Sequence, residues 1–289
     1  LAAVLAQCRL LLTNDTGPMH LAVGVGTPVI DLSVGHVDFR ETGPYGPGHW
    51  IVQPDMGCAP CGFDQVCLHH ACKDRLVPDQ IAALCLHVLN GGAFPEKLTG
   101  IKIYRSRLDE DGLGSTELHA GREDPTVSWY GRFWRRFWFE QFTGRPSLVP
   151  MVSEPPPDWK ESMALLDRLM PLAARLVSRA EELVRLTARR PLPISTLQQM
   201  QLEESGERQT VVALSLQSPA TASLAVALVR DTHNDDGHEL TGMAECRLAT
   251  YRRWQKRLHT VAAGFRSFNT AQGFAPRGTT VAIPMARIG

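Results

Sequence analysis

The sequence predicts an α/β fold over its first third, followed by an all-helical extension. Two observations carry the α/β part. Apolar β-type runs at 10–14 and 29–32 flank a helix that opens at Pro18, and a second helical pattern at 78–89 is closed by Gly91-Gly92. A third carries the extension: beyond Pro155-Pro156-Pro157 apolar residues recur at helical spacing as far as 268. Strand and helix in alternation suit a parallel sheet covered by helices. The expected organisation is a sheet domain over 1–92, a strand, turn and aromatic-rich connecting segment over 93–150, a helical extension over 151–272 and a loose tail over 273–289.

Composition agrees with a folded chain of this kind. At 289 residues there is length for about two domains, and 44% hydrophobic with 21% charged residues is ordinary for a water-exposed globular protein. Thirty basic and thirty acidic residues cancel, so no overall field argues for a nucleic-acid partner. The stretch 211–229 has no charged residue, yet Gln217, Ser218 and Pro219 interrupt it; it reads as two buried helical pieces broken at Pro219 rather than as a membrane span.

In chain order, Leu1-Ala2-Ala3-Val4-Leu5-Ala6 reads as the last turns of a helix that leads into the first strand. Leu10-Leu11-Leu12 then runs into Thr13-Asn14-Asp15-Thr16-Gly17-Pro18-Met19-His20. Asp15 and Thr16 suit a helix N-cap, Gly17 frees the turn and Pro18 suits the first helical position. The start of such a helix offers amides without partners and the positive end of the helix dipole, a place that favours phosphate, with a carboxylate (Asp15) and an imidazole (His20) beside it. An ordinary capped helix is the competing reading. Gly24-Val25-Gly26 after it is punctuation rather than a dinucleotide fingerprint.

Further on, 32–78 reads as a long irregular stretch. Ile101-Lys102-Ile103-Tyr104 alternates like a strand, and Asp109-Glu110-Asp111-Gly112 supplies a turn. Asp109, Asp111 and Glu117 do not have the spacing of a calcium loop. Between 129 and 142 a helix gathers Trp129, Tyr130, Phe133, Trp134, Phe137 and Trp138 on one side and Arg132, Arg135 and Arg136 on the other. That face either lies on an anionic membrane surface or packs as core.

Asp158 with Glu161 has the capping-box pattern. Met163, Leu166, Met170, Ala173, Val177, Ala180 and Val184 then form a helix-packing seam, with Pro171 inside it. A further amphipathic helix begins near Leu240, with Ala244, Leu248, Tyr251, Leu258, Ala262 and Phe265 on one face. His233, Asp235, Asp236, His238 and Glu239 between the helices read as a solvated loop before a metal site.

The cysteines fall into a cluster and three singles. Cys58, Cys61, Cys67 and Cys72 have the spacing C-x2-C-x5-C-x4-C, which offers ligands for a structural zinc or an iron–sulfur cluster. The second pair lacks knuckle spacing, and His69 and His70 are rival ligands, so reduced structural thiols are the competing reading. Cys8, Cys85 and Cys246 stand alone and read as buried.

Asp15-Thr16-Gly17-Pro18-Met19-His20-Leu21-Ala22, followed by Gly26-Thr27-Pro28-Val29-Ile30, resembles the donor-binding signature of glycosyltransferase family 9, the ADP-heptose:lipopolysaccharide heptosyltransferases. Thr42-Gly43-Pro44-Tyr45-Gly46-Pro47 with His49, then Cys58-Ala59-Pro60-Cys61, Cys67 and Cys72, follow in that family's order. The resemblance extends over roughly the first 90 residues. It implies the Rossmann-like C-terminal half of a GT-B glycosyltransferase, inverting and without a catalytic metal or other cofactor. In that role Asp15 meets heptose hydroxyls, the amides of Thr16 and Gly17 hold the diphosphate, and His20 approaches it from the first turn.

The implied partners are an ADP-sugar donor and a lipid-linked core oligosaccharide acceptor, in the cytoplasm at the inner face of the inner membrane. Because the chain opens at Leu1 inside a helix, the expectation is a fragment of a longer enzyme. The acceptor site, the general base and much of the adenine pocket would lie in an upstream domain, and the fragment alone would not turn over. The rival function is a non-enzymatic module that keeps the sheet domain and uses the helical extension for protein or membrane contact.

Overall fold

A computed structural model describes residues 1–61, 66–234 and 239–271, with side chains as far as 268. It divides into two compact units, residues 1–124 with 139–150, and residues 125–138 with 151 onward.

The first unit is built on a five-stranded mixed sheet in the order β1-β2-β3-β4-β5. Strands β1 (Leu11–Asn14), β2 (Val29–Leu32) and β3 (Trp50–Pro54) are parallel; β4 (Ile101–Leu108) and β5 (Gly114–Ala120) continue the sheet antiparallel. Helices α1 (Ala2–Leu5), α2 (Gly17–Gly24), α3 (Phe39–Thr42), α4 (Ala71–Asp74) and α5 (Pro78–Asn90) accompany it. Successive side chains of a strand point to opposite faces, so the sheet has two cores. On one face Ile30, Trp50, Val52, Ile101 and Ile103 pack with Ile81 and Leu84 of α5. On the other, Val29 packs with Leu5, Met19 and Ala22 of α1 and α2, and Ile51 with Phe39 of α3 and Tyr104.

Several expected elements are present for the expected reasons. Residues 2–5 are helical, α2 has Pro18 in its first turn, and α5 opens on Pro78 and stops at Gly91, which adopts the left-handed conformation (φ 64°) that glycine tolerates. The β4–β5 turn uses the Asp109 carboxylate, which accepts from the amides of Asp111 (3.0 Å) and Leu113 (2.9 Å).

Two features differ from the sequence reading. Strand β3 lies inside the stretch read as irregular; all five of its residues are buried, so it shows no polar alternation, and the glycines and prolines around it masked the short apolar run. Residues 101–120, read as a connector, belong to the same sheet because β4 pairs along the whole of β3.

The second unit is helical: the Pro125–Thr143 helix (α6) as far as residue 138, then α7 (Trp159–Thr187), α8 (Ile194–Ser215), α9 (Pro219–His233) and α10 (Leu240–Ala271). The charge-free stretch 211–229 is divided between α8 and α9, with Ser218 accepting from the Ala220 amide as N-cap and Pro219 opening α9. No helix among the described residues is long and apolar enough to cross a membrane.

The aromatic face of α6 is spent inside this unit. Trp129, Tyr130 and Phe137 are buried with Leu166, Leu224, Trp254 and Phe265, and the indoles of Trp134 and Trp138 donate to Pro219 O and Ser223 Oγ at 2.7 and 2.6 Å. The core reading of these aromatics is therefore the one the fold adopts.

On α7 the seam is shifted from the expected one. Leu166, Ala173 and Ala180 are shared, but Leu169, Leu176, Leu183 and Thr187 complete the buried row while Met170, Val177 and Val184 flank it half-buried. The expected capping box does not form either. The Asp158 side chain makes no cap bond and accepts instead from Tyr130 Oη and Ser162 Oγ, both at 3.0 Å. Of the loop groups read from sequence, Asp235, Asp236 and His238 lie outside the described residues, as does the tail from 272 onward.

Candidate functional site

Strand β1 ends at Asn14, and the chain turns within two residues into α2. Thr16 is the N-cap, in extended conformation, and its side chain makes no capping bond. Its hydroxyl donates instead to Asn14 O at 3.2 Å, and its carbonyl accepts from the Met19 amide at 3.0 Å. The amides of Thr16 and Gly17 donate to no acceptor among the described residues. Thr16, Gly17, Pro18 and His20 are exposed and Asp15 is half-buried, whereas Met19 faces the core. Unsatisfied amides at a helix start, open to solvent, bind anionic oxygen without rearrangement.

Two residues join this corner that sequence reasoning did not assign to it. Thr42, the last residue of α3, donates its hydroxyl to Asp15 Oδ2, tying the Thr42-Gly43-Pro44 motif to the first loop. This bond fixes the carboxylate and leaves it acceptor capacity for other hydroxyls.

The second is Asp31, in the middle of β2. It is 0% exposed and neither carboxylate oxygen has a partner. Burial, with the Asp15 charge adding to it, raises its pKa to about 7. The signal for Asp31 was visible as a lone carboxylate in an otherwise apolar buried strand. His49, of the same motif group as Thr42, is buried just before β3, and burial pushes its ring toward the neutral form.

The four clustered cysteines are not brought together. Cys58 is exposed, Cys61 and Cys67 half-buried and Cys72 buried in α4, all as free thiols. Among the described residues no three His, Cys, Asp or Glu side chains assemble into a possible metal site. Cys67 accepts from the His70 amide (3.3 Å), and the amides of His70 and His69, with Lys73 assisting, lower its thiol pKa. Cys85 on α5 is raised by burial. Contrary to the reading of the single cysteines as buried, Cys8 is exposed and Cys85 and Cys246 are half-buried.

Comparison with known proteins falls on the same part of the chain. Residues 1–71 match the family model "Glycosyltransferase family 9 (heptosyltransferase)". Lipooligosaccharide heptosyltransferase 2 of Campylobacter jejuni subsp. jejuni serotype O:2 is 32% identical over 80 residues, which is 27% of this chain and 24% of that protein. The protein of the same name from serotype O:6 is 31% identical over 80 residues, 27% of this chain and 25% of its own length. The chain thus spans about a quarter of the length of the curated relatives it matches. No solved structure gives a significant match.

Proposed function

We propose that the first unit is the donor-binding part of a longer glycosyltransferase that moves heptose, or a related sugar, from an ADP-linked donor to a lipid-linked core oligosaccharide. The observation that carries this reading is the pair of free amides at Thr16 and Gly17, lying within the residues that match the heptosyltransferase family model. In this reading the first unit is the Rossmann-like C-terminal half of a GT-B enzyme, working at the cytoplasmic face of the membrane that carries the acceptor. The relatives' names supply the sugar and the acceptor class; the corner's chemistry supplies the reason a diphosphate fits.

The reaction is an in-line displacement with inversion. An acceptor hydroxyl oxygen bonds to the anomeric carbon as the bond from that carbon to the β-phosphate oxygen breaks, and the electron pair leaves with ADP. The hydroxyl proton goes to a base supplied by a segment outside this chain. Negative charge grows on the leaving diphosphate, where the oriented amides, the α2 dipole and the His20 imidazole stabilise it without needing a metal ion. Asp15, steadied by Thr42, accepts from sugar hydroxyls. The cysteine-rich segment is read as a thiol-bearing loop, because its four thiols do not converge; one zinc per chain by elemental analysis would overturn that.

The test is Asp15→Ala in the full-length parent. Transfer should fall by about 100-fold or more, as for loss of a transition-state contact, while the circular dichroism and thermal midpoint stay those of the wild type. Chelator should leave the wild-type rate unchanged. Turnover of Asp15→Ala at the wild-type rate removes the residue from the site. The non-enzymatic module remains the second reading, favoured by one observation: the helical unit lies outside the residues that match the family.

A further inference from the structure

Asp31 has no use in the chemistry just described, yet it is the most unusual group near it. The register pairs it with Thr13 of β1 and Ile51 of β3. By strand alternation it shares a face with Val29, which packs under Met19 and Ala22 of α2, and with Ile51, which packs under Phe39 of α3. It therefore lies on the face covered by α2 and α3, the two elements whose ends meet through Asp15 and Thr42. A fully buried carboxylate with two unpartnered oxygens has lost its hydration and gained no donor, and it relieves that cost by taking up a proton.

The charged and titratable groups on the surrounding elements are few. Asp15 and His20 stand at the start of α2. His36 lies in the loop before α3; Asp38, Arg40 and Glu41 belong to α3 and its cap, with Arg40 engaged by Glu123 and lying over the Phe39 and Tyr104 rings, and burial keeps the Tyr104 hydroxyl protonated. His49 precedes β3 and stays toward its neutral form. The charge that acts on Asp31 is that of Asp15, and its sign is the same.

We infer that Asp31 is a positioning residue of the anion corner: when a diphosphate settles on the start of α2, the Asp31 carboxylate takes one proton from solvent. This rests on the donor reading above and adds to it a proton that binding requires. The new negative charge joins that of Asp15 and raises the proton affinity of Asp31 by on the order of tenfold. Since the free protein holds this carboxyl near pKa 7, the coupling is felt above neutrality. Affinity for the donor then weakens as pH rises, by up to roughly tenfold per pH unit over the interval between the free and bound pKa values. Asp31 touches neither sugar nor phosphate; it acts by keeping the floor of the corner uncharged.

The experiment has two arms, carboxyl NMR on the 289-residue protein and donor binding on the full-length parent. Carbon-13 NMR of the side-chain carboxyls, with the Asp31 signal assigned by its loss in Asp31→Asn, should give a titration midpoint near neutrality in the free protein. A midpoint near 4 overturns the inference, whatever the protein binds.

In the second arm ADP-glucose is titrated calorimetrically at pH 8 in two buffers of different ionisation enthalpy. ADP-glucose is a diphosphate diester and has no phosphate proton of its own to exchange near pH 8. Wild type should take up about 0.4 of a proton more than Asp31→Asn, which keeps every other titrating group and loses only the carboxyl at position 31. Binding with equal proton counts in the two proteins overturns the inference and leaves the donor reading intact. No ADP-glucose binding at any pH, with the midpoint still near neutrality, counts against the donor reading, and the inference falls with it.

Discussion

Moving the Asp31 carboxyl from water to the covered face of β2 strips the charged form of its solvent and gives it no hydrogen bond in return. The unfolded chain releases this proton near pH 3.8 and the folded chain near 7. Between those values the folded state holds a proton that the unfolded state has lost, so stability falls as pH rises, by up to about 1.4 kcal/mol per pH unit. The loss is complete above 7 and absent below 3.8. Asp31→Asn removes the titration, so its urea midpoint should gain on that of the wild type from pH 5 to pH 8, by a few kcal/mol once converted. Parallel pH profiles for the two proteins would show that Asp31 is solvated after all.

Cysteine reactivity offers a second residue-level check. At pH 7.5 iodoacetamide should alkylate Cys67, held down by the His70 and His69 amides, well before Cys85, held up by burial. Equal rates by mass spectrometry would dismiss that difference. The strand-to-helix turn itself was legible in the sequence because it is contiguous: Thr16, Gly17 and Pro18 carry the cap position and the turn. That Thr42 and Asp31 belong to the corner was not legible, although Asp31 stands out as a lone carboxylate in an apolar run, because strand pairing and a helix 27 residues away bring them to it and no local pattern encodes that.

Helix α7 shows how far periodicity reaches at the scale of an element. A 3-4 spacing identifies a helix and a packed stripe, but two neighbouring stripes share every second member, and the choice between them depends on what lies opposite. The fold takes the row with leucine at 169, 176 and 183 over the row with Met170, Val177 and Val184. Larger apolar area goes inward and the smaller or more pliable side chains flank it.

Adjacent substitutions separate the two rows. Leu176→Ala should cost about 3 kcal/mol through lost burial and an unfilled cavity, and Val177→Ala on the order of 1. Similar costs from chemical denaturation would mean the expected seam was the right one. Strand β3 failed at the same scale for the opposite reason: with all five residues buried there is no period to detect. The capping box failed because Asp158 has better donors in Tyr130 and Ser162 than the helix end offers.

For the whole chain the governing quantity is charge balance. Thirty basic residues against thirty acidic ones give no net field to draw a diphosphate in from a distance. The attraction that the donor reading requires must therefore be local: the two amides, the end of α2 and the His20 imidazole, with Asp15 and Asp31 opposing it. Short-range bonds to oriented amides are screened far less than the summed field of a basic surface, whose reach ends within about 8 Å at physiological salt. The affinity of the protein for ADP-glucose should accordingly change by less than about threefold between 50 and 300 mM salt, because few counterions are displaced. A steep salt dependence would assign the binding to a cluster of lysines and arginines elsewhere on the chain. The start of α2 would then be an ordinary capped helix after all.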